Sequence, residues 1–169
     1  MTEENMKTKE EIFFILDELK IPYEVQEHKA IFSEKDAAEI KIDLNGIDVK
    51  NLFVKDKKGK YALVTLALHK RADLKKIAAL LNMERLSFCN SEELMKYLKI
   101  TPGSVTPLCL MHPESKDLLL VFDENLKGQN VIVHPLRNTA SVSISFSDLC
   151  TFARHFGHSW IEGDVYKED

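Results

Sequence analysis

The sequence predicts a mixed α/β domain of the α+β class, in which helices surround a mostly antiparallel sheet. Two observations lead to this prediction. Short apolar runs with strand character cluster in the middle and late parts of the chain, with helical segments interspersed among them. No internal repeat, low-complexity tract or interdomain linker divides the 169 residues, a length that suits one domain. We therefore expect a single domain over residues 1–169.

Helices are predicted where apolar residues recur every three or four positions between charged ones. Residues 9–20 follow this pattern, and Pro22 ends the segment. Ser33 is expected to cap a second helix, with Asp36 three positions later. Further helices are expected over residues 73–81, 91–98 and 149–156, the last of them capped by residues 146–148.

Strands are predicted where β-branched and aromatic residues alternate or run together between turn residues. Residues 49–54 and 61–68 form an expected hairpin around Gly59, and the second strand is apolar enough to be buried on both faces. The other expected strands are residues 23–26, 85–89, 118–123, 131–134 and 141–145.

Composition and charge exclude several functional classes. Hydrophobic residues make up 44% of the chain and charged residues 30%, as in folded globular domains. No apolar run approaches the ~20 residues of a membrane span, and residues 1–11 lack the apolar core of a signal peptide, so a cytoplasmic location without membrane partners is expected. The formal charge of −4 argues against a protein that coats nucleic acid. Lysine clusters at residues 55–60 and 70–76 are either solvated faces or contacts for an RNA end.

The cysteines and histidines predict no metal and no cofactor. Cys89, Cys109 and Cys150 are odd in number and widely spaced, which fits neither a disulfide framework nor a CxxC site. They are expected as small apolar residues. A nucleophilic Cys109 is the alternative, although no activating base lies near it in sequence. The six histidines show no metal-ligand spacing.

Three separate features are candidates for chemistry. Lys50, followed by Asn51, begins an apolar strand, where an ammonium group needs either water or an anion such as a phosphate. His134 ends another strand, from which a neutral ring can both donate and accept. A lysine that reaches solvent and a histidine satisfied by local backbone are the respective alternatives.

The third feature is a stiff loop after Pro102. It consists of Gly103, Ser104, Val105, Thr106 and Pro107. Prolines at both ends restrict the backbone, while a glycine permits close approach of a ligand. Such a loop can present fixed amides and carbonyls to a small ligand, or it is a plain connection.

These three motifs, in this order, resemble the YbaK/ProX family of tRNA-editing domains, which is related to the insertion editing domain of bacterial prolyl-tRNA synthetases. The motifs are residues 50–54, 103–107 and 133–140, and the resemblance spans residues 9–164. It implies a mixed sheet or partial barrel with surrounding helices, and hydrolysis of the ester between an amino acid and the terminal adenosine of a tRNA. An ordered triple of motifs is more specific than any one of them.

The resemblance also implies roles for individual residues. Lys50 matches the lysine that contacts the terminal nucleotide, the loop that begins at Gly103 lines the pocket, and His134 is a pocket histidine. Asn51 and Asn138 are placed among the substrate-binding residues. The expected partner is the acceptor end of mischarged tRNA, and prolyl-tRNA synthetase or an elongation factor is a further candidate partner.

The substrate implied is Ala-tRNA(Pro), with Cys-tRNA(Pro) as the competing substrate within the family. Because a tight pocket admits alanine and rejects proline, apolar residues near the predicted element ends are expected as its walls, or else as ordinary core: Ile21, Ile31, Phe32 and Leu66. Two alternatives from other classes are a non-catalytic module that binds tRNA or protein, and a hydrolase of another small ester or amide.

Overall fold

The computed structural model describes residues 8–168, and across them five α-helices surround eight strands. Residues 1–7, part of the segment in which no signal peptide is predicted, lie outside the described residues. The helices are α1 (Lys9–Glu18), α2 (Glu34–Glu39), α3 (Leu74–Leu81), α4 (Ser91–Leu98) and α5 (Phe146–His155). The strands are β1 (Glu24–Glu27), β2 (Ile47–Lys55), β3 (Tyr61–Ala67), β4 (Ser87–Phe88), β5 (Leu119–Asp123), β6 (Asn130–Val133), β7 (Ala140–Ser145) and β8 (Ile161–Gly163).

The strands form one mixed sheet, which confirms the predicted fold class. Their order is β1-β7-β6-β2-β3-β5-β8, with β4 on β2. Four of the seven pairings between the described strands are antiparallel and three are parallel. The parallel pairs join strands that are far apart in sequence. They are therefore harder to predict than an antiparallel hairpin, whose two strands are neighbours along the chain.

Strand β2 is shared by the two halves of this sheet. It pairs with β3 over residues 49–55, but with β6 only at Ile47 and Asp48. At its far end it meets β4 at Val54 and Lys55. The edge of β2 between these two contacts has no neighbouring strand among the described residues, and the sheet therefore opens there.

Side-chain alternation gives the two halves of the sheet different faces. In β6 and β7 one face enters the main core, which includes Val131, Val133, Val142 and Ile144. The opposite face of these strands carries Ile132 of β6 and the serines Ser141 and Ser143 of β7. In β3 both faces are buried, because α3 covers a second core that contains Val64 and Leu66.

Several local predictions can be compared directly with the structure. Ser33 caps α2 by accepting from the Asp36 amide, as expected. The cap of α5 was misplaced, because the helix already begins at Phe146 and Ser145 accepts from the Asp148 amide. Strand β8 and a 3₁₀-helix over Pro107–Met111 were not predicted.

Candidate active site

A cleft of about 930 Å³ lies where β2 separates from β6. One wall consists of side chains from the sheet, including Asp48, Lys50, His134 and Ser141. The opposite side is apolar and comes from α2 and the segments on either side of it: Ile31, Phe32, Ala37, Ala38, Ile40 and Ile42. Gly103 and Val105 line the cleft from the loop. An apolar pocket with a few polar groups on one side is the usual form of a small-ligand site.

Strand register explains why these polar side chains meet. Asp48 lies beside Ile132 in the parallel pairing of β2 with β6. Lys50 and His134 each follow two positions later, so they fall on the same face as that pair. The intervening residue Val133 enters the main core instead.

Strand β7 adds Ser141, which contacts a second histidine, His28, directly after β1. Val133 pairs with Val142, which puts Ser141 beside His134. The Nε2 atom of His28 lies 2.8 Å from the Ser141 hydroxyl, and its Nδ1 atom lies 2.7 Å from the Lys29 carbonyl oxygen. Because a carbonyl only accepts, Nδ1 of His28 donates.

His134 is held in one orientation by the sheet. Its Nδ1 atom lies 3.0 Å from the Ala140 carbonyl oxygen and therefore donates to it. Burial lowers the pKa of the ring, and the neighbouring His28 adds to this effect, while the Ala140 bond and Asp48 oppose it. The ring is accordingly neutral near pH 7, and its Nε2 atom is a hydrogen-bond acceptor.

Asp48 carries the opposite charge to Lys50, which follows it by two positions in β2. Burial raises the pKa of its carboxyl group, and proximity to His134 opposes that shift only in part. The carboxylate lines the cleft, and within residues 8–168 it takes part in no ion pair. The wall thus carries a cationic and an anionic group about 7 Å apart along the strand, from the rise per residue.

The glycine loop is fixed by contacts on both of its sides. Gly103 has φ +88°, and a Cβ there would lie 3.4 Å from Cδ1 of Phe32. The Asn138 side chain donates to the Ile31 carbonyl oxygen at 3.1 Å, and the Ile31 amide donates to the Asn138 carbonyl oxygen. The loop, the Ile31–Phe32 turn and the third motif therefore pack together.

Asn51 joins the loop to the sheet. Its Nδ2 atom donates to the Val105 carbonyl oxygen at 3.4 Å, and its Oδ1 atom accepts from the Thr65 hydroxyl at 2.6 Å. Thr65 is fully buried, so this bond fixes the amide from inside the core. Asn51 can therefore set the distance between the loop and Lys50.

The structure brings together most of the residues singled out from the sequence. Lys50, Asn51, Gly103, Val105, His134, Ile31 and Phe32 all line the cleft, and Asn138 lies directly behind Ile31. The neighbouring loop residues Ser104, Thr106 and Pro107 are buried, and Thr106 accepts from the Leu108 amide to start the 3₁₀-helix.

Two residues expected as pocket walls lie elsewhere. Ile21 is part of the main core, and Leu66 is part of the core beneath α3. Leu66 pairs with Lys50 and shares its face, but α3 covers it. An apolar residue near a strand end gives no sequence signal that separates a core position from a pocket wall.

Sequence reasoning missed Asp48, Ser141 and His28 as cleft or cleft-supporting residues. A signal for Asp48 existed, since it lies two positions before Lys50 and must share its face. No such signal existed for Ser141 and His28, which reach the site only through the pairing of β7 with β6 and β1.

The two basic clusters differ in their relation to the cleft. Leu68 and His69 line it, and exposed Lys70 and Arg71 follow them directly. The turn of residues 56–60 joins the opposite ends of β2 and β3.

The alternative of a nucleophilic Cys109 finds no support in the geometry. The residue is fully buried, its thiol donates to the Thr106 carbonyl oxygen at 2.7 Å, and burial raises its pKa to about 12. Within residues 8–168, no three His, Cys, Asp or Glu side chains are grouped to hold a metal ion. No helix in the same range is both long and apolar enough to cross a membrane.

Comparisons with known proteins show the family of the chain. The family model described as "Aminoacyl-tRNA editing domain" matches residues 28–152. The "Prolyl-tRNA editing protein ProX" of Acetoanaerobium sticklandii is 36% identical over 160 residues, which cover 92% of this chain and 96% of that protein. The "Prolyl-tRNA synthetase associated domain-containing protein 1" of Bos taurus is 34% identical over 146 residues, covering 83% and 85% of the two chains.

A solved structure extends the likeness to the fold. It is described as a candidate trans-editing enzyme for prolyl tRNA synthetase, and it superposes with a TM-score of 0.72 at 20% identity over 97% of this chain and 100% of that chain. The family match covers the cleft and all three motifs. The chain belongs to the aminoacyl-tRNA editing domain family, which confirms the resemblance drawn from the sequence, and as an editing domain it is an aminoacyl-tRNA deacylase.

Proposed function

We propose that this protein removes the wrong amino acid from mischarged tRNA(Pro), and that alanine is its main substrate. The observation that carries the proposal is the convergence of Lys50, Gly103 and His134 on one cleft from three distant parts of the chain. The similarity to a prolyl-tRNA editing protein supports the choice of tRNA.

Lys50 binds the nucleotide end of the substrate. An ammonium group on the cleft wall attracts a phosphate or ribose oxygen of the terminal adenosine. This contact fixes the ester relative to the rest of the cleft, and positioning alone supplies a large part of the rate enhancement in such reactions.

The glycine loop orients the ester and stabilises the oxyanion that forms when water attacks. Backbone groups near Gly103 are rigid because Asn51 and Asn138 hold the loop and its neighbour. Rigid donors are effective because they need no reorganisation during the reaction. The vicinal hydroxyl of the substrate ribose assists in activating the water, while neutral His134 holds the amino-acid end.

Selectivity follows from the size of the apolar side of the cleft. Ile31 and Phe32 lie against the loop, where they limit the space for the amino-acid side chain. Excluding a larger side chain by steric clash is easy, whereas near-isosteres are separated by only ~1–3 kcal/mol. Cysteine is therefore the second candidate substrate, because its side chain is also small.

A panel of charged tRNAs tests the proposal. The purified protein is incubated with Ala-tRNA(Pro), Cys-tRNA(Pro), Pro-tRNA(Pro) and Ala-tRNA(Ala), and deacylation is followed over many turnovers. The expected order of kcat/KM has Ala-tRNA(Pro) first and Pro-tRNA(Pro) last. Absence of turnover on every substrate indicates a binding module, and equal turnover of a free alanine ester indicates a general esterase.

A further inference from the structure

The end of the cleft beside β6 and β7 is lined by hydrogen-bond acceptors. Asp48 contributes a carboxylate, and neutral His134 presents Nε2 because its Nδ1 proton is bonded to the Ala140 carbonyl oxygen. Ser141 contributes a hydroxyl oxygen, which lies 2.8 Å from Nε2 of His28. Three groups on one wall that can accept hydrogen bonds suit a ligand with several donors, or one with a positive charge.

Register confines these acceptors to one small region. Asp48 lies beside Ile132, His134 follows Ile132 by two positions, and Ser141 lies opposite His134. The cationic Lys50 follows Asp48 by one side-chain repeat along β2, at the level of His134, where β2 no longer pairs with β6. The wall therefore has an anionic part and a cationic part in a fixed order.

An aminoacyl-tRNA has the matching order of charges. Its amino acid carries an α-ammonium group with three N–H donors, and its terminal nucleotide carries phosphate. On the basis of the proposed function, in which Lys50 binds the nucleotide end, we propose that Asp48, His134 and Ser141 bind the α-ammonium group of the aminoacyl ester. The site then selects substrates by the charge of their amino group as well as by side-chain size.

Other polar side chains on the same face of β1 and β7 bond to the protein backbone. Gln26 donates to the Lys41 carbonyl oxygen and accepts from the Asp43 amide, and the Ser143 hydroxyl donates to the Asn45 carbonyl oxygen. These bonds hold the segment that covers the cleft. Asp48 differs from them because its carboxylate has no ion-pair partner within residues 8–168, which leaves it available for a ligand.

The test compares two non-hydrolysable analogues of the acceptor end. Both are amides of 3′-amino-3′-deoxyadenosine, one with an alanyl group and one with a lactyl group, in which a hydroxyl replaces the ammonium. Because a charge-assisted hydrogen bond is involved, the wild-type protein is expected to bind the alanyl amide at least about tenfold more tightly by titration calorimetry. Equal affinity for the two analogues, or no binding of either, overturns the proposal.

The Asp48→Asn variant tests whether Asp48 is responsible for the preference for the alanyl amide. The variant is expected to reduce the preference to less than about threefold by weakening only the alanyl amide. Asp117→Asn, which changes an exposed carboxylate outside the cleft lining, is expected to keep it. Thermal melting shows whether each variant is folded, and Asp48→Glu is expected to restore part of the preference if the charge is what matters. An unchanged preference in folded Asp48→Asn contradicts the assignment.

The two proposals fail in distinguishable ways. A wild-type protein that prefers the alanyl amide but does not hydrolyse Ala-tRNA(Pro) contradicts the proposed reaction and keeps the ammonium site. A protein that hydrolyses alanyl-tRNA and lactyl-tRNA equally well, and binds both amides equally, keeps the reaction and contradicts the ammonium site.

Discussion

The two ends of strand β2 carry similar charged residues in very different surroundings. At the hairpin end, Nζ of Lys55 lies 2.8 Å from both oxygens of Glu93, and Tyr61 donates to the same carboxylate. Asp56 accepts from the amides of Lys58, Lys60 and Glu84. At the cleft end, the Asp48 carboxylate faces an open space and has a raised pKa.

This difference separates structural charges from charges available to a ligand. Burial opposes ionisation of Glu93 and Asp56, but the hydrogen bonds they accept outweigh it and lower the pKa of each carboxyl group. Asp48 has no such compensation within the described chain. A charge that the fold does not satisfy costs stability, and such residues are concentrated at functional sites.

The largest expected effect comes from the loop at the cleft. Gly103→Ala introduces a Cβ at positive φ, which strains the loop backbone, and puts a methyl group in contact with the Phe32 ring on the cleft side. We expect kcat/KM for Ala-tRNA(Pro) to fall about 100-fold or more, since oxyanion-type contacts are this sensitive to position.

Gly59→Ala is the matched control at the hairpin end. Gly59 also has positive φ, +83°, but a Cβ there meets nothing within 4 Å. Both variants are expected to lose about 1–2 kcal/mol of unfolding free energy from the backbone strain alone, and only the cleft variant loses activity. Equal activity in the two variants contradicts a role for the loop in the reaction.

A smaller effect is expected from enlarging the apolar wall. Ile31→Ala removes side-chain volume next to the loop while leaving its backbone bonds to Asn138 in place. Hydrolysis of a bulkier substrate such as Val-tRNA(Pro) is expected to rise about tenfold relative to Ala-tRNA(Pro). The ratio of the two kcat/KM values measures the change, and an unaltered ratio removes Ile31 from the pocket wall.

The loss of stability at acid pH is expected to depend on Asp56 and Glu93, near the hairpin end of β2. Because folding lowers the pKa of Asp56 and Glu93 from 3.8 and 4.5, their stabilising contribution is complete above those values and is lost as the pH falls through the folded-state values. Asp56→Asn combined with Glu93→Gln should lower the melting temperature at pH 7 by several degrees. It should also reduce the further loss between pH 5 and pH 3, measured by circular dichroism.

The smallest effect, of opposite sign, is expected at Asp48. Its folded-state pKa lies above 3.8, so the stability linked to this group is complete below that value and is lost as the pH rises. Asp48→Asn should therefore raise the melting temperature at pH 7 by about 1 °C and leave it unchanged at pH 3. A lower melting temperature at pH 7 would show that the carboxylate is structural.

The sequence predicted the elements better than their arrangement, for a physical reason. Side-chain periodicity and caps such as Ser33 are local signals, and so is the apolar run that became β3. The parallel pairing of β2 with β6 joins segments about eighty residues apart, and periodicity contains no information about it. Strand β8 is only three residues long, so no periodic signal in the sequence indicates it or its pairing with β5.

In the candidate site, too, local signals were predictable and long-range strand pairing was not. Lys50, Gly103 and His134 were predicted from ordered motifs, each of which lies within a few residues, and all three line the cleft. Ser141 and His28 belong to the site only because β7 lies between β6 and β1. Ile21 was misassigned because burial in a core and exposure to a pocket require the same apolar side chain.

The most direct test of the account is the deacylation of Ala-tRNA(Pro) by two lysine variants of β2 and its turn. Lys50→Ala removes the ammonium group from the cleft, and Lys57→Ala removes an exposed one from the turn at the other end of the strand. We expect kcat/KM to fall at least about 100-fold in the first variant, with a melting temperature close to that of the wild type, and to stay within about twofold in the second. Full activity in Lys50→Ala would contradict the assignment of this cleft as the active site.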